Sequence, residues 1–525
     1  MTKAKLPIGI QDFETIISEG YTYIDKTEVI YQLITQGKPY FLSRPRRFGK
    51  SLLVSTFHAL FSGRRDLFKG LWIDHSDWNW VAYPIIRLDM STINNSTAEK
   101  FEMDLIRALN EIALENDVTL TGTSSANHLE SLIKKLSAKQ KVVVLIDEYD
   151  KPLIDNIENL DLAKENRRIL QQFYTILKAE DRHLKFIFLT GVTRFSKVSV
   201  FSGMNNLIDL SLLDQCSALL GYTREELVHY FSNEIRELAL KNGVDIEDYY
   251  AQIKEWYNGY KFSREGEYVY NPFSVLNLFN SKVFNAYWFE TGTPSFLIDQ
   301  IKKREFDLTN LEHINVDSDS FNSCELEDLP TLSLLYQTGY LTIKYFIQQV
   351  NAYSLGFPNR EVSQSLSKSL LVNFSNSKAE CSKLLVDIST NLNTRPWEYH
   401  QFFKIMESLL ALIPYELYVK HEKYFHSLFY LTIKLAGFQI GAEIHTQQGR
   451  TDAALEDKDK VIIFEFKLNE SPQVAIDQIK HKKYYELYQD RQLPIYLVGI
   501  NFNGERRIID GWKVELIFTN QKFKE

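Results

Sequence analysis

Three side chains in the stretch Gln447 to Lys467 have the types and spacing for metal-assisted hydrolysis: Asp452, Glu465 and Lys467. Val461 to Lys467 is rich in Val, Ile and Phe, which predicts a buried strand, and the charged tetrapeptide Asp457 to Lys460 before it predicts a turn. Side chains alternate along a strand, so Glu465 and Lys467 share one face while Phe464 and Phe466 take the other. With the turn centred between Lys458 and Asp459, Asp452 falls opposite Glu465, and cross-strand neighbours lie about 5 Å apart. Two carboxylates that close repel each other unless a cation lies between them, and hard oxygen donors suit Mg²⁺. Lys467 beside them would hold a water and help deprotonate it. The alternative for the same residues is a solvated hairpin with a Glu465–Lys467 ion pair. Against it stands the apolar run that these two charges interrupt.

A second set of residues points to phosphate chemistry. KPYFLSRPRRFGKSLLVSTFHALF predicts a short strand, Tyr40 to Leu42, then a tight loop and a helix starting near Lys50. That is the context of a phosphate-binding loop. Gly49, Lys50 and Ser51 match the last three positions of a Walker A motif: Lys50 would reach the outer phosphates and the Ser51 hydroxyl would ligate Mg²⁺. Arg44 stands where the pattern has its first glycine, so the backbone cradle is expected to differ, with Arg46 and Arg47 as further candidates for phosphate contacts. Farther along, KVVVLIDEYDKPLID reads as a Walker B segment. Asp147 would hold Mg²⁺ through water and Glu148 would orient the attacking water. The strand KFIFLTGVTRF ends in Thr190 and Thr193, where a polar side chain would sense the γ-phosphate, with Arg194 adjacent.

These segments carry two resemblances. The hairpin is similar to the core motif of the PD-(D/E)XK nuclease superfamily, an Asp on one strand and Glu-x-Lys on the next. Upstream, HEKYFHSLFYLTIKLAGFQIGAEIHTQQGR resembles that superfamily's first helix, with Glu422 at the acidic position, followed by its first strand and a turn at Gly449-Arg450. Downstream, VAIDQIKHKKYYELY resembles the helix that often carries a further polar residue, here Gln478. LPIGIQDF, YTYIDKT, FLSRPRRFGKSLL, VVVLIDEYDKPL and FLTGVTRFSKVSVFSGMNNL together resemble the AAA-ATPase-like family that bacteria couple to such a C-terminal nuclease-like domain. RPRRFGKSL is that family's usual form of the loop. WYNGYKF, VYNPFSVLN, YWFETGTPSFL, LLYQTGYLTI and YSLGFPNREV agree with it, so the resemblance covers nearly the whole chain.

The chain of 525 residues, 44% hydrophobic, is too long for one ordinary domain. Its formal net charge of −8 argues against non-specific coating of nucleic acid while leaving room for local basic grooves. Two basic clusters stand out, Lys38 to Gly70 and the set Lys467, Lys480, Lys482 and Lys483. The first suits a triphosphate and the second a phosphodiester backbone. Cys216, Cys324 and Cys381 are few and widely spaced, which fits a reducing cytoplasm. No stretch approaches 18 uninterrupted apolar residues, so no membrane span is expected.

The expected architecture is α/β: an AAA-like parallel-sheet core over 1–222, a helical lid and winged-helix-like region over 223–395, and a restriction-endonuclease-like domain over 396–525. Thr223 with Glu226 predicts a capping box at the lid's entry. The aromatics of WYNGYKF and YWFETG are either packing anchors between subdomains or stacking platforms for bases. The polar stretch Ser389 to Gln401 is the candidate linker. The function these features imply is an ATP-binding protein that controls a Mg²⁺-dependent nuclease, with DNA preferred over RNA as its partner, a homo-oligomer compatible with it, and mobile DNA as its biological setting. A rival from another class is a non-enzymatic ATP-dependent switch or scaffold whose nuclease-like domain only binds nucleic acid or a partner. General chaperone-like remodelling has no substrate-threading feature in its favour.

Overall fold

The computed structural model describes residues 5–37, 39–195, 200–201, 203–289, 314–321, 326, 330–374, 377–412, 422–438, 440–446, 449–491, 493–506 and 508–518. The chain forms two compact units, Met1–Leu297 with Ile314–Val362, and Ile298–His313 with Ser363–Glu525.

In the first unit, five strands pair in parallel: β1 (Tyr40–Ser43), β2 (Ile85–Asp89), β3 (Val142–Asp147), β4 (Leu184–Gly191) and β5 (Ile208–Asp209), in the order β2-β3-β4-β1-β5. A parallel sheet covered on both faces needs strands that are apolar throughout, and β3 is buried at every position. On one face, Phe57 and Phe61 of helix Lys50–Phe61 pack on Phe186 and Phe188 of β4, with ring centroids 4.9–5.0 Å apart. On the other, Leu105, Leu129 and Leu170 of three longer helices close over Val142, Val144 and Ile146. β4 lies between β1 and β3, so the ends of all three strands come together where the loops that follow them carry the candidate residues.

The same unit continues into the helical region expected as the lid. Thr223 and Glu226 form the expected capping box at the start of helix Arg224–Asn242, and Gly243 closes that helix at φ 65°. This helix, with Ile246–Tyr257 and Pro272–Ser281, buries Leu227, Phe231, Ile253 and Leu278 around Ile24 from the N-terminal segment. Lys26 of that segment donates to Glu226 Oε1 at 2.5 Å. The part expected to be winged-helix-like holds helix Thr331–Gln337 and a three-stranded antiparallel sheet of β6 (Ile314–Asp317), β7 (Thr342–Ile347) and β8 (Ala352–Gly356), in the order β6-β8-β7. Tyr257, Tyr260 and Trp288 are buried, which makes them packing anchors and takes them out of reach of bases.

The second unit is built on a mixed sheet in the order β13-β12-β11-β10-β9, from β9 (Ile440–Thr446), β10 (Gly449–Glu456), β11 (Val461–Leu468), β12 (Ile495–Asn503) and β13 (Ile508–Phe518). Only β11 and β12 run parallel. Alternation divides β11 as the period of two demands. Phe464 and Phe466 face helix Glu422–Leu435, where Phe429 meets them at 4.9 and 5.1 Å. Val461 and Ile463 face helix Pro472–His481 through Ile476 and Ile479.

Two local expectations are corrected. Gly449 and Arg450 are not a turn but the first residues of β10, paired with Thr446 and His445 of β9; the connecting residues 447 and 448 lie outside the described set. The stretch Ser389 to Gln401, expected as a linker, is the end of helix Lys378–Leu392, a short packed turn and the start of helix Tyr399–Ala411, all within the second unit. Trp397 Nε1 donates to Asn391 Oδ1 at 3.2 Å, and its ring meets Phe402 and Tyr496. One tryptophan among polar residues is enough to dock such a stretch.

Candidate active sites

The hairpin of β10 and β11 has the register Ala453↔Phe464, Ala454↔Ile463, Leu455↔Ile462, which puts Asp452 opposite Glu465 one step outward. The backbone N–H of Phe466 donates to Asp452 Oδ2 at 2.8 Å. Glu465 follows the face that carries Ile463, so its carboxylate points at helix Pro472–His481. That helix lies close to the sheet because β12 offers Gly499 beneath it: a Cβ there would stand 2.3 Å from Pro472 O. The approach brings Gln478 between the two strand residues. Its Nε2 donates to Glu465 Oε1, and its Oε1 accepts from Lys467 Nζ at 2.8 Å. Lys467 Nζ is 3.6 Å from Glu465 Oε1.

Glu465 is 1% exposed, and its second oxygen, Oε2, is buried with no hydrogen-bond partner among the described residues. Burial and the nearby Asp452 carboxylate push its pKa up to about 8, against the opposing pull of Lys467. An orphaned carboxylate oxygen facing a second carboxylate is the donor set a small hard cation fits, with water and substrate oxygens completing the shell. Among the described residues no three His, Cys, Asp or Glu side chains form a metal cluster. Glu422 opens helix Glu422–Leu435, but its side chain lies outside the described set.

The sequence reading missed Tyr484. Burial raises its pKa, a hydrogen bond with Gln478 opposes that shift, the Glu465 and Asp452 carboxylates add to it and Lys467 opposes it. No periodicity could have found it, because Lys483 turns the chain at φ 50° between helix Pro472–His481 and Tyr484.

The second site follows β1. Gly49 caps helix Lys50–Phe61 at φ 97°, a conformation glycine adopts without strain. Lys50 is buried, and its Nζ donates to the carbonyls of Arg44 and Pro45, both at 3.1 Å. Burial lowers its pKa, while Glu148, Asp147 and Asp150 oppose that shift. Asp147 ends β3 and hydrogen-bonds Ser51; burial raises its pKa, with Ser51 and Lys50 pulling it back. Glu148 stands at φ 49°, which turns it out of the strand direction toward an open cavity of about 430 Å³.

That cavity is walled by Arg46, Arg47, Gly49, Lys50, Ser51 and Glu148 on the loop side. Pro7, Gly9, Ile10 and Gln11 come from the N-terminal segment, and Tyr222, Pro272, Phe273 and Leu276 from the lid side. Its size falls in the ~300–1,000 Å³ range of cofactor sites. A wall of cations at a helix N-terminus, with apolar residues opposite, fits a nucleoside triphosphate.

Arg44 does not crowd this space. Its side chain is 1% exposed and turns away from the cavity, donating to the carbonyls of Ser43 and Ser211 (2.9 Å each) and Cys216 (3.1 Å) beneath the Phe262 ring. Thr190 and Thr193 are not on the cavity wall. Thr190 Oγ1 donates to Leu42 O at 2.8 Å, and the Thr193 amide donates to Asp150 Oδ2 at 2.5 Å; both are buried. Arg194 is paired with Asp209. These residues tie β4 to its neighbours.

The comparisons with known proteins follow the same division. Residues 7–201 match the family described as a predicted AAA-ATPase, and residues 420–512 match the PD-(D/E)XK nuclease superfamily. The chain is 37% identical over 531 residues to the "Uncharacterized protein in vnfD 5'region" of Azotobacter chroococcum mcd 1, an alignment covering 98% of this chain and 99% of that protein. With both domain matches in place and a relative alike from end to end, the chain belongs to the family of AAA-ATPase-like proteins that carry a C-terminal PD-(D/E)XK nuclease superfamily domain.

Proposed function

We propose that this protein binds ATP in its first unit and hydrolyses nucleic-acid phosphodiester bonds in its second, with nucleotide controlling the cut. The observation that carries the nuclease half is the buried Glu465 Oε2, without a hydrogen-bond partner among the described residues, across the hairpin from Asp452. Asp452 and Glu465 would hold Mg²⁺, which when bound supplies Lewis-acid polarisation of the scissile phosphate. Lys467 orients the attacking water and stabilises the hydroxide it becomes, and Gln478 holds that ammonium in place through its 2.8 Å contact. Lys480, Lys482 and Lys483 lie on the same segment and suit a phosphate backbone, for which DNA is the preferred form.

In the first unit, Lys50 exchanges its loop carbonyls for the outer phosphates. Ser51 and Asp147 would hold the accompanying Mg²⁺, and Glu148 orients water. Cys216 is a buried free thiol, in keeping with the cytoplasm as the working compartment. Among the described residues no helix is long and apolar enough to cross a membrane. The biological setting that best suits an ATP-controlled nuclease is mobile DNA.

Incubating the full chain with labelled single- and double-stranded DNA and RNA, with Mg²⁺ and with EDTA, tests the reading. Metal-dependent cleavage that disappears in Lys467→Ala supports it. Binding without cleavage in every arm would replace it with the non-catalytic switch.

A further inference from the structure

The nucleotide cavity holds one cation that no motif assigns. Lys151 lines it alongside Arg46, Arg47 and Lys50, against Glu148 as the sole carboxylate among the lining residues. Its place is set by its backbone: the Lys151 amide donates to Glu148 O at 3.0 Å, and the preceding Asp150 is locked under β4 by the amides of Val192 and Thr193. The other cations on the wall have distinct stations. Lys50 Nζ lies against the loop carbonyls, and Arg47 stacks over Phe273 of the lid at 4.9 Å. Lys151 alone comes from the segment that carries Glu148. If Glu148 orients the attacking water, the outermost phosphate lies at that end.

Among the described residues, the Lys151 side chain is tethered at its tip. Nζ donates to Asp155 Oδ1 and Oδ2 at 2.7 and 2.9 Å, one helical turn away, in a pair whose members are 30% and 36% exposed. An exposed pair of this kind contributes little and exchanges readily for a stronger anion. A phosphate carrying more than one negative charge is such an anion.

We infer that Lys151 is a further phosphate ligand of this cavity, leaving Asp155 for the outermost phosphate of a nucleoside triphosphate and so distinguishing a triphosphate from a diphosphate. This rests on the nucleotide reading of the site and adds its selectivity. Asp155 then acts as an internal competitor, so the two members of the pair have opposite effects. In a plain helix staple they would have the same effect.

Calorimetric titration of the full chain with a non-hydrolysable ATP analogue and with ADP, both with Mg²⁺, decides it. Lys151→Met should weaken triphosphate binding by roughly tenfold, the scale of one charge-assisted contact, while leaving ADP unchanged. Asp155→Asn should tighten triphosphate binding and leave ADP unchanged. A triphosphate-to-diphosphate ratio unmoved in Lys151→Met, or an Asp155→Asn variant that weakens the triphosphate as Lys151→Met does, overturns the assignment while leaving the cavity a nucleotide site. A wild-type chain that binds neither nucleotide overturns the cavity reading itself.

Discussion

The amide of Phe466 donates to the carboxylate of Asp452, so one carboxylate of the hairpin is tied to the strand that carries the other, Glu465. The tie separates charge from geometry. Asp452→Asn keeps an oxygen acceptor for that amide and removes the negative charge, whereas Asp452→Ala removes both. We expect Asp452→Asn and Glu465→Gln each to lower Mn²⁺ affinity by tenfold or so, the loss of one charged ligand, without lowering the melting temperature. Calorimetry on the full chain in an Asp147→Asn background, which silences the nucleotide-site metal, is the measurement. Unchanged affinity in both variants would remove the metal from this hairpin.

Arg44 stands where a standard phosphate loop has glycine, so restoring that glycine is the obvious repair. The structure gives the opposite expectation. The buried guanidinium serves three carbonyls and lies under Phe262, and its loss leaves those acceptors and a cavity behind. Arg44→Gly should destabilise the first unit by about 3 kcal/mol, within the range for losing a buried polar network. Thermal unfolding with and without nucleotide checks it; a melting temperature equal to or above that of the wild type would contradict the structural role of Arg44.

Much of this was legible beforehand, because the signals were local. The apolar run and charged turn set the register of the hairpin, and the alternation of strands and helices set the parallel sheet. What escaped was set by long-range packing. Nothing near Pro7 to Gln11 or Pro272 to Leu276 in sequence shows that they share a wall with Lys50. Thr190 and Thr193 were at a correctly placed strand end, yet their partners, Leu42 and Asp150, are contributed by other strands and loops. Arg44 was expected to alter the loop's backbone cradle, and only the folded chain reveals the carbonyls that receive it.

Glu465 makes the metal-free chain sensitive to pH. Its pKa is about 8 in the folded state, against the 4.5 of a freely exposed glutamate. Between these values the folded chain keeps a proton that the unfolded chain has released, so stability falls as pH rises. The contribution is fully present below about pH 4.5 and is lost as pH passes through about 8. In EDTA, the unfolding temperature of the second unit should therefore decline from pH 5 to pH 8, and Glu465→Gln, which has no proton to lose, should flatten that decline. A slope identical in the two proteins would show that Glu465 is not the group responsible.

The last expectation concerns the relation between the two activities. A nuclease active at all times endangers the cell that makes it, and here the nuclease match spans residues 420–512 while the ATPase-like match begins at residue 7. A large nucleotide-binding unit joined to a small hazardous one makes physical sense as its control, provided nucleotide binds the active and inactive arrangements with different affinity. Cleavage should then change with ATP in the wild type and cease to respond in Lys50→Ala, while Lys467→Ala should lose cleavage and keep ATP binding. Glu148→Gln separates binding from turnover: control by occupancy survives it, and control by hydrolysis does not. The comparison must be made at fixed free Mg²⁺, since ATP chelates the cation that Asp452 and Glu465 would hold and so could imitate inhibition. Cleavage that ignores ATP under that condition, in a chain that demonstrably binds it, would make the two units tethered neighbours and end the case for control.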